Sequence, residues 1–150
     1  MADGDDGLRG HMVPEIEGED GLLLKAIPHC AELGMRLMAA SDEGAVMKLP
    51  YDARLVGDAR TGIMHGGAIT TLVDTCCGSA VMAAGTGAKS TATLDLRINY
   101  MRPATPGRDV LARAACYRST RSVAFVRATA FHEEGGDEIA TASAAFILER

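Results

Sequence analysis

The chain has 150 residues, enough for one domain with a sizeable core, and its 47% hydrophobic content is that of a globular protein. The formal charge of −5 is concentrated in residues 1–20, which hold seven acids and one base, so residues 21–150, with fourteen bases and thirteen acids, are close to neutral. Scattered bases, 4% aromatic residues and the absence of Trp exclude a nucleic-acid groove or base-stacking platform, and no apolar run approaches the roughly 20 residues of a membrane span.

Residues 1–20 are rich in Gly, Asp and Glu and read as a disordered acidic tail, because they cannot bury enough apolar surface to offset the entropy of ordering. Asp3, Asp5 and Asp6 stand where a secretory signal would carry a basic start and an apolar core, so the expected location is cytoplasmic. The folded domain is expected over 21–150. Leu22 to Ile27 predict a short helix limited by Pro28. Residues 34–41 and 44–50 predict two strands around Ser41-Asp42-Glu43-Gly44, where Gly44 permits a positive backbone angle. Tyr51 to Met64 lack sustained periodicity and read as a loop, of a length that often carries function.

The longest helical pattern follows, from His65 to Gly85. Ile69, Leu72, Val73, Cys76, Ala80, Ala83 and Ala84 recur at three- and four-residue steps, Gly66 and Gly67 open the segment, and Gly85 with Gly87 fits a stop. Within this apolar run lies one carboxylate, Asp74. An ionised acid is expensive to bury without partners, so Asp74 is the first candidate for chemistry. Cys30, Cys76, Cys77 and Cys116 show neither CxxC spacing nor a disulfide framework and read as buried small residues, with no metal site implied.

Beyond the helix the period changes from 3.6 to 2. Ala92, Leu94, Leu96, Ile98 and Tyr100 alternate with Thr91, Thr93, Asp95, Arg97 and Asn99, which predicts a half-buried strand over 91–100. Three more strands are expected at about 108–118, 121–132 and 138–149, joined by short connections that imply antiparallel neighbours in a four-strand meander. One face of these strands is small: Val110, Ala112, Ala114, Cys116, Ala124, Val126, Ala128, Ala130, Ala140, Ala142 and Ala144. Such a face lets a helix lie close, so the expected class is α+β, one antiparallel sheet wrapped around a long central helix. The opposite face, with Arg113, Arg127, Thr129, Thr141 and Ser143, is solvated or meets a polar subunit surface.

His65-Gly66-Gly67, Asp74 nine residues after the histidine, and Ile98-Asn99-Tyr100-Met101-Arg102-Pro103-Ala104 leading to Gly107 together make the sequence resemble the hotdog-fold acyl-CoA thioesterases of the phenylacetate-pathway (PaaI-like) group. The likeness covers roughly residues 33–149. It implies a hotdog domain, a homodimer or homotetramer, and hydrolysis of an acyl-CoA to a carboxylate and coenzyme A without a metal. No cofactor is implied, since coenzyme A enters as part of the substrate. It also implies a water-holding hydroxyl at Thr93, for which a solvent-facing strand threonine is the plain alternative.

Physical chemistry adds a constraint. Thioester hydrolysis needs donors for a carbonyl oxygen whose charge grows and a carboxylate to act as base or nucleophile. The free N–H groups of a helix N-terminus opened by Gly66 or Gly67 supply the first, and Asp74 supplies the second. At 1.5 Å rise per residue they lie about 12 Å apart, so one carbonyl reaches both only if two antiparallel copies of the helix meet across a two-fold axis. His65 is read as a structural residue at the helix start, where positive dipole character disfavours imidazolium. Arg97, Arg102 and Arg108 are candidates for the phosphates of coenzyme A, with an ordinary surface role as the alternative. Met64, with Leu55, Val56, Ile63 and Val81, is a candidate for the acyl pocket. One departure stands out: this family often has an Asn six residues before the motif histidine, and here the position is Ala59. A hotdog enoyl-CoA hydratase or dehydratase using His65 and Asp74, and a noncatalytic acyl-CoA-binding module, are the competing readings.

Overall fold

The computed structural model describes residues 27–150. The acidic stretch 1–20 lies outside the described residues, as does all of the expected Leu22–Ile27 helix except Ile27. Ile27 itself is extended, and Pro28 opens a helix: α1 runs from Pro28 to Glu32. Proline suits that position because the first helical residue needs no N–H partner and its ring presets φ.

Two strands follow as expected, β1 (Arg36–Ser41) and β2 (Gly44–Leu49), joined by a turn at 42–43. Gly44 has φ +149°, and a Cβ there would stand 2.3 Å from the Ala114 carbonyl oxygen, so both backbone angle and space demand glycine. The stretch read as a loop carries more order than its sequence showed. A 3-10 turn at Ala53–Leu55 leads into a small ribbon of β3 (Val56–Asp58) and β4 (Ile63–Met64), strands too short to display a period.

The central helix, α2, spans Gly66–Ala83, and Gly85 just beyond it takes a left-handed φ of +67°. Four strands complete the chain: β5 (Ser90–Tyr100), β6 (Val110–Ser119), β7 (Val123–Phe131) and β8 (Ala140–Glu149). The main sheet has the order β1-β2-β6-β7-β8-β5 and is antiparallel throughout. The expected meander is therefore corrected at one point. β6, β7 and β8 are consecutive neighbours, but β5 bonds to β8 at the far edge and not to β6. Its link to β6, residues 101–109 with Pro103 and Pro106, is too long for a tight hairpin and crosses the end of the sheet. Buried Ala104 anchors that crossover, while the His132 ring accepts from Thr105 N–H and bonds the Asp109 carbonyl, both at 2.8 Å.

The small-residue face lies against α2 as its pattern predicted. Ala112, Ala114, Ala124, Val126, Ala130 and Ala140 are at most 1% exposed, and Leu72, Val73, Cys76, Cys77, Ala80 and Val81 of α2 are equally buried. The Cys76 thiol donates to the carbonyls of Ala45 and Ala112, both at 3.4 Å, so helix and sheet approach closely enough for side chain to meet backbone. Burying each larger apolar side chain here contributes about 2 kcal/mol. Cys30, Cys76 and Cys77 are buried and Cys116 half-buried, all as free thiols.

Candidate active site

Asp74 sits near the middle of α2 on the side facing β5, half-buried, and its Oδ1 accepts a hydrogen bond from the Thr93 hydroxyl at 2.7 Å. Thr93 stands where the register between β5 and β8 shifts, so an irregularity in the strand aims this hydroxyl at the helix. The pair borders a cavity of about 870 Å³ bounded by α1, β1, α2 and the start of β5. Beside it, burial and then the charge of Asp74 push the Cys77 thiol up to about 12. Cys77 is therefore protonated at neutral pH and is no thiolate nucleophile.

At the other end of the helix, His65 is the N-cap. Its Nδ1 accepts the Gly67 N–H at 2.8 Å, a bond that a proton on that nitrogen would abolish. The Gly67 N–H is thus occupied, while the Gly66 N–H makes no hydrogen bond among the described residues. The Gly66 carbonyl is held from behind by the Thr70 hydroxyl at 3.0 Å and the Tyr100 hydroxyl at 2.7 Å. Tyr100 and Thr70 were not singled out as site residues. The only sequence signal for Tyr100 was its place in the Asn99-Tyr100-Met101-Arg102-Pro103 run, and Thr70 gave none.

Strand β5 consequently touches α2 at two points, Thr93 on Asp74 and Tyr100 on Gly66. Eight residues of helix separate Asp74 from Gly66, about 12 Å along the axis, and the two do not converge within one chain.

The remaining candidates are dispersed. Met64 is 4% exposed and belongs to the hydrophobic core, not to the wall of the cavity beside Asp74. Leu55, Val56 and Ile63 lie half-buried around the β3–β4 ribbon, and Val81 is fully buried; none borders that cavity. Arg102 pairs with Asp137 at 2.8 Å and Arg108 with Glu133 at 3.6 Å, both reaching the β7–β8 turn. Exposed pairs of this kind contribute little, so a phosphate can compete for either guanidinium. Arg97 is exposed on β5 opposite Ser143 and makes no ion pair among the described residues. Ala59 is exposed in the β3–β4 turn, where Asp58 accepts the Arg60 N–H at 2.9 Å and the Arg60 guanidinium holds the Asp58 carboxyl below its usual range. Among the described residues no three His, Cys, Asp or Glu side chains converge as a metal site requires, and no helix is long and apolar enough to cross a membrane.

Residues 61–139 match the family described as Thioesterase superfamily. A Halobacterium salinarum protein is 38% identical over 89 residues, 57% of this chain and 58% of that protein, so the match spans little more than half of it. The medium/long-chain acyl-CoA thioesterase YigI of Escherichia coli is 28% identical over 135 residues, covering 81% of this chain and 86% of YigI. A Pseudomonas aeruginosa protein of known crystal structure is 42% identical and superposes with a TM-score of 0.76, covering 85% of this chain and 94% of its own.

Proposed function

The chain belongs to the thioesterase superfamily and has its hotdog fold, and on that premise we propose that it hydrolyses an acyl-CoA thioester to a carboxylate and coenzyme A in a site shared by two copies of the chain. The observation that carries the reading is the pairing of a half-buried carboxylate, held on one oxygen by Thr93, with an unused N–H at Gly66, each fastened to an opposite end of the same edge strand.

Among the described residues β5 has β8 on one side and no strand on the other, and Leu94 (57%) and Tyr100 (48%) on it and Met101 (58%) just beyond it are exposed. Antiparallel pairing of β5 with its own copy about a two-fold axis near Leu96 and Arg97 brings the Tyr100 end of one strand to the Thr93 end of the other. Asp74 of one protomer then faces Gly66 of the partner subunit, resolving the 12 Å separation. The Gly66 N–H stabilises the oxygen that becomes negative, and the bonds of Tyr100 and Thr70 to the Gly66 carbonyl fix the next peptide, holding the first turn of the helix in place. Asp74 either removes a proton from the attacking water or itself attacks the carbonyl carbon, in which case water later cleaves the acyl-aspartate. Both routes break the C–S bond, release the thiol and return the carboxylate of Asp74. The cap bond occupies Nδ1 of His65 and leaves only Nε2 for the hydratase reading, which water addition to an enoyl-CoA without thiol release would select.

The test mixes two inactive proteins. Gly66→Pro removes one N–H at a position where proline is tolerated, and His65 before it already has the extended angles, φ −62° and ψ 134°, that proline requires. Asp74→Ala removes the carboxylate. After subunit exchange, random pairing gives about half heterodimers, each with one intact site of two, so thioester hydrolysis recovers to about a quarter of wild type. Demonstrated exchange without recovery contradicts the shared site. Tight acyl-CoA binding by the wild type with no thiol release across aryl, short and medium chains selects the noncatalytic module instead.

A further inference from the structure

The cavity beside Asp74 has a direction. Its floor is the C-terminal half of α2, with Asp74 at one end, Gly78 in the middle and Met82 at the other end, while Leu37 and Ala40 of β1 face Thr91 and Ala92 of β5 across it. Asp74 to Met82 spans about 12 Å of helix. Gly78 leaves the middle open: a Cβ built there meets only the edge of the Phe146 ring, at 3.6 Å.

The hydroxyls of the helical floor and of Thr91 on β5 spend their donors on backbone carbonyls, while Ser41 on the β1 rim accepts the Glu43 N–H and, among the described residues, keeps its own proton free. Thr75 donates to the Thr71 carbonyl at 2.8 Å, Ser79 to the Thr75 carbonyl at 2.9 Å and Thr91 to the Ile147 carbonyl at 2.7 Å. What they turn toward the cavity is largely carbon, and between Asp74 and Lys89 at the far mouth no charged side chain intervenes. An amide-rich arm such as that of coenzyme A finds no protein donors for its carbonyls on this floor. A hydrocarbon chain needs none. A single aromatic ring fills only the first part, as far as Gly78.

Resting on the acyl-CoA reading above, we infer that the acyl group lies along α2 from Asp74 over Gly78 to Met82, that the preferred substrate carries an unbranched saturated chain of about eight to ten carbons, and that Gly78 sets this length. The count follows from a trough of about 12 Å and an advance of about 1.2 Å per bond in an extended chain. Because Gly78 is about 6 Å from Asp74, any side chain larger than a methyl group there closes the trough after four or five carbons.

The experiment measures kcat/KM for thiol release from butyryl-, octanoyl-, decanoyl-, tetradecanoyl- and phenylacetyl-CoA with wild type, Gly78→Leu, Gly78→Ala and Met82→Trp. Wild type is expected to gain about threefold to fourfold per methylene up to eight carbons and to level off near ten. Gly78→Leu is expected to lower the decanoyl-to-butyryl ratio at least thirtyfold, and Met82→Trp, at an already exposed position, to lower the tetradecanoyl-to-octanoyl ratio about tenfold. Gly78→Ala, better suited to a helix than glycine, shows that position 78 tolerates substitution and is expected to shift the ratio less. A wild-type preference for phenylacetyl-CoA, or ratios for Gly78→Leu and Met82→Trp that parallel wild type, overturns the assignment. Calorimetric binding of the same ligands separates the two proposals: affinity that rises with chain length and is flattened by Gly78→Leu supports the trough even if no thiol is released, an outcome that defeats hydrolysis alone.

Discussion

Leu72, Val73, Cys76, Cys77 and Ala80 form the side of α2 packed into the sheet, each at most 1% exposed, whereas Thr70, Asp74 and Gly78, one turn apart on the side toward β5, are only half-buried. The packed side is apolar and answered by alanines on β6, β7 and β8. The other side consists of a hydroxyl, a carboxylate and a glycine, which contribute little to a core but hold a backbone peptide, a reactive oxygen and an open floor. On the proposed function one helix divides its labour lengthwise, stability on one stripe and chemistry on the other, so the two should respond separately to substitution.

The largest expected effect is on the packed stripe. Leu72→Ala should lower the unfolding free energy by about 3 kcal/mol in urea titration, while activity per folded molecule stays near wild type. Asp74→Asn should do the reverse, reducing thioester hydrolysis roughly 100-fold or more with stability changed by no more than about 0.5 kcal/mol. Large unfolding of Asp74→Asn, or unaltered turnover, would erase the division. Thr93→Val keeps the shape and deletes the donor to Asp74; kcat should fall about tenfold with KM little changed, and Thr93→Ser should restore most of it.

The smallest effect crosses between the stripes at Cys77, which is buried but feels the charge of Asp74. Its thiol titrates at about 12 in the folded chain against 9.0 ordinarily, so the unfolded chain loses its proton first. This contribution to stability is complete below pH 9 and declines as pH rises from 9 toward 12. Between pH 8 and 10 it amounts to about 1 kcal/mol, and Cys77→Ala should flatten the pH dependence of unfolding by that much. Equal slopes for the two proteins would place no proton linkage at Cys77.

The sequence made the central helix legible because its apolar stripe, opening glycines and closing Gly85 agree, and the alanine face was legible because strand alternation survives in β6, β7 and β8. β5 was harder. Its alternation placed Leu94 inward, but the register shift between Thr93 and Asp95 leaves Leu94 57% exposed, and an edge strand has less core to face. The order of strands differs from the expected one at the same place, since nothing in residues 101–109 announces a crossover, and the His132 ring that clamps it comes from the residue just after β7, with no motif around it. Asp74 and Thr93, both candidates from the sequence, meet in a hydrogen bond, while the Tyr100 bond to Gly66 depends on tertiary geometry. Met64 shows the opposite error: next to the motif histidine, it is a core residue.

The far-edge position of β5 also orders events in time. Ser90 pairs with Glu149 and Tyr100 with Ala140, so among the described residues the strand that carries Thr93 and Tyr100 has no strand partner until β8 has been synthesised. Helix α2 and the hairpin of β1 and β2 can dock on β6 well before then. The pairing of β5 that steadies Thr93 beside Asp74 is therefore expected to be a late step of folding. Pulse-labelled hydrogen exchange should find β5 amides gaining protection together with β8 and later than those of β2 and β6.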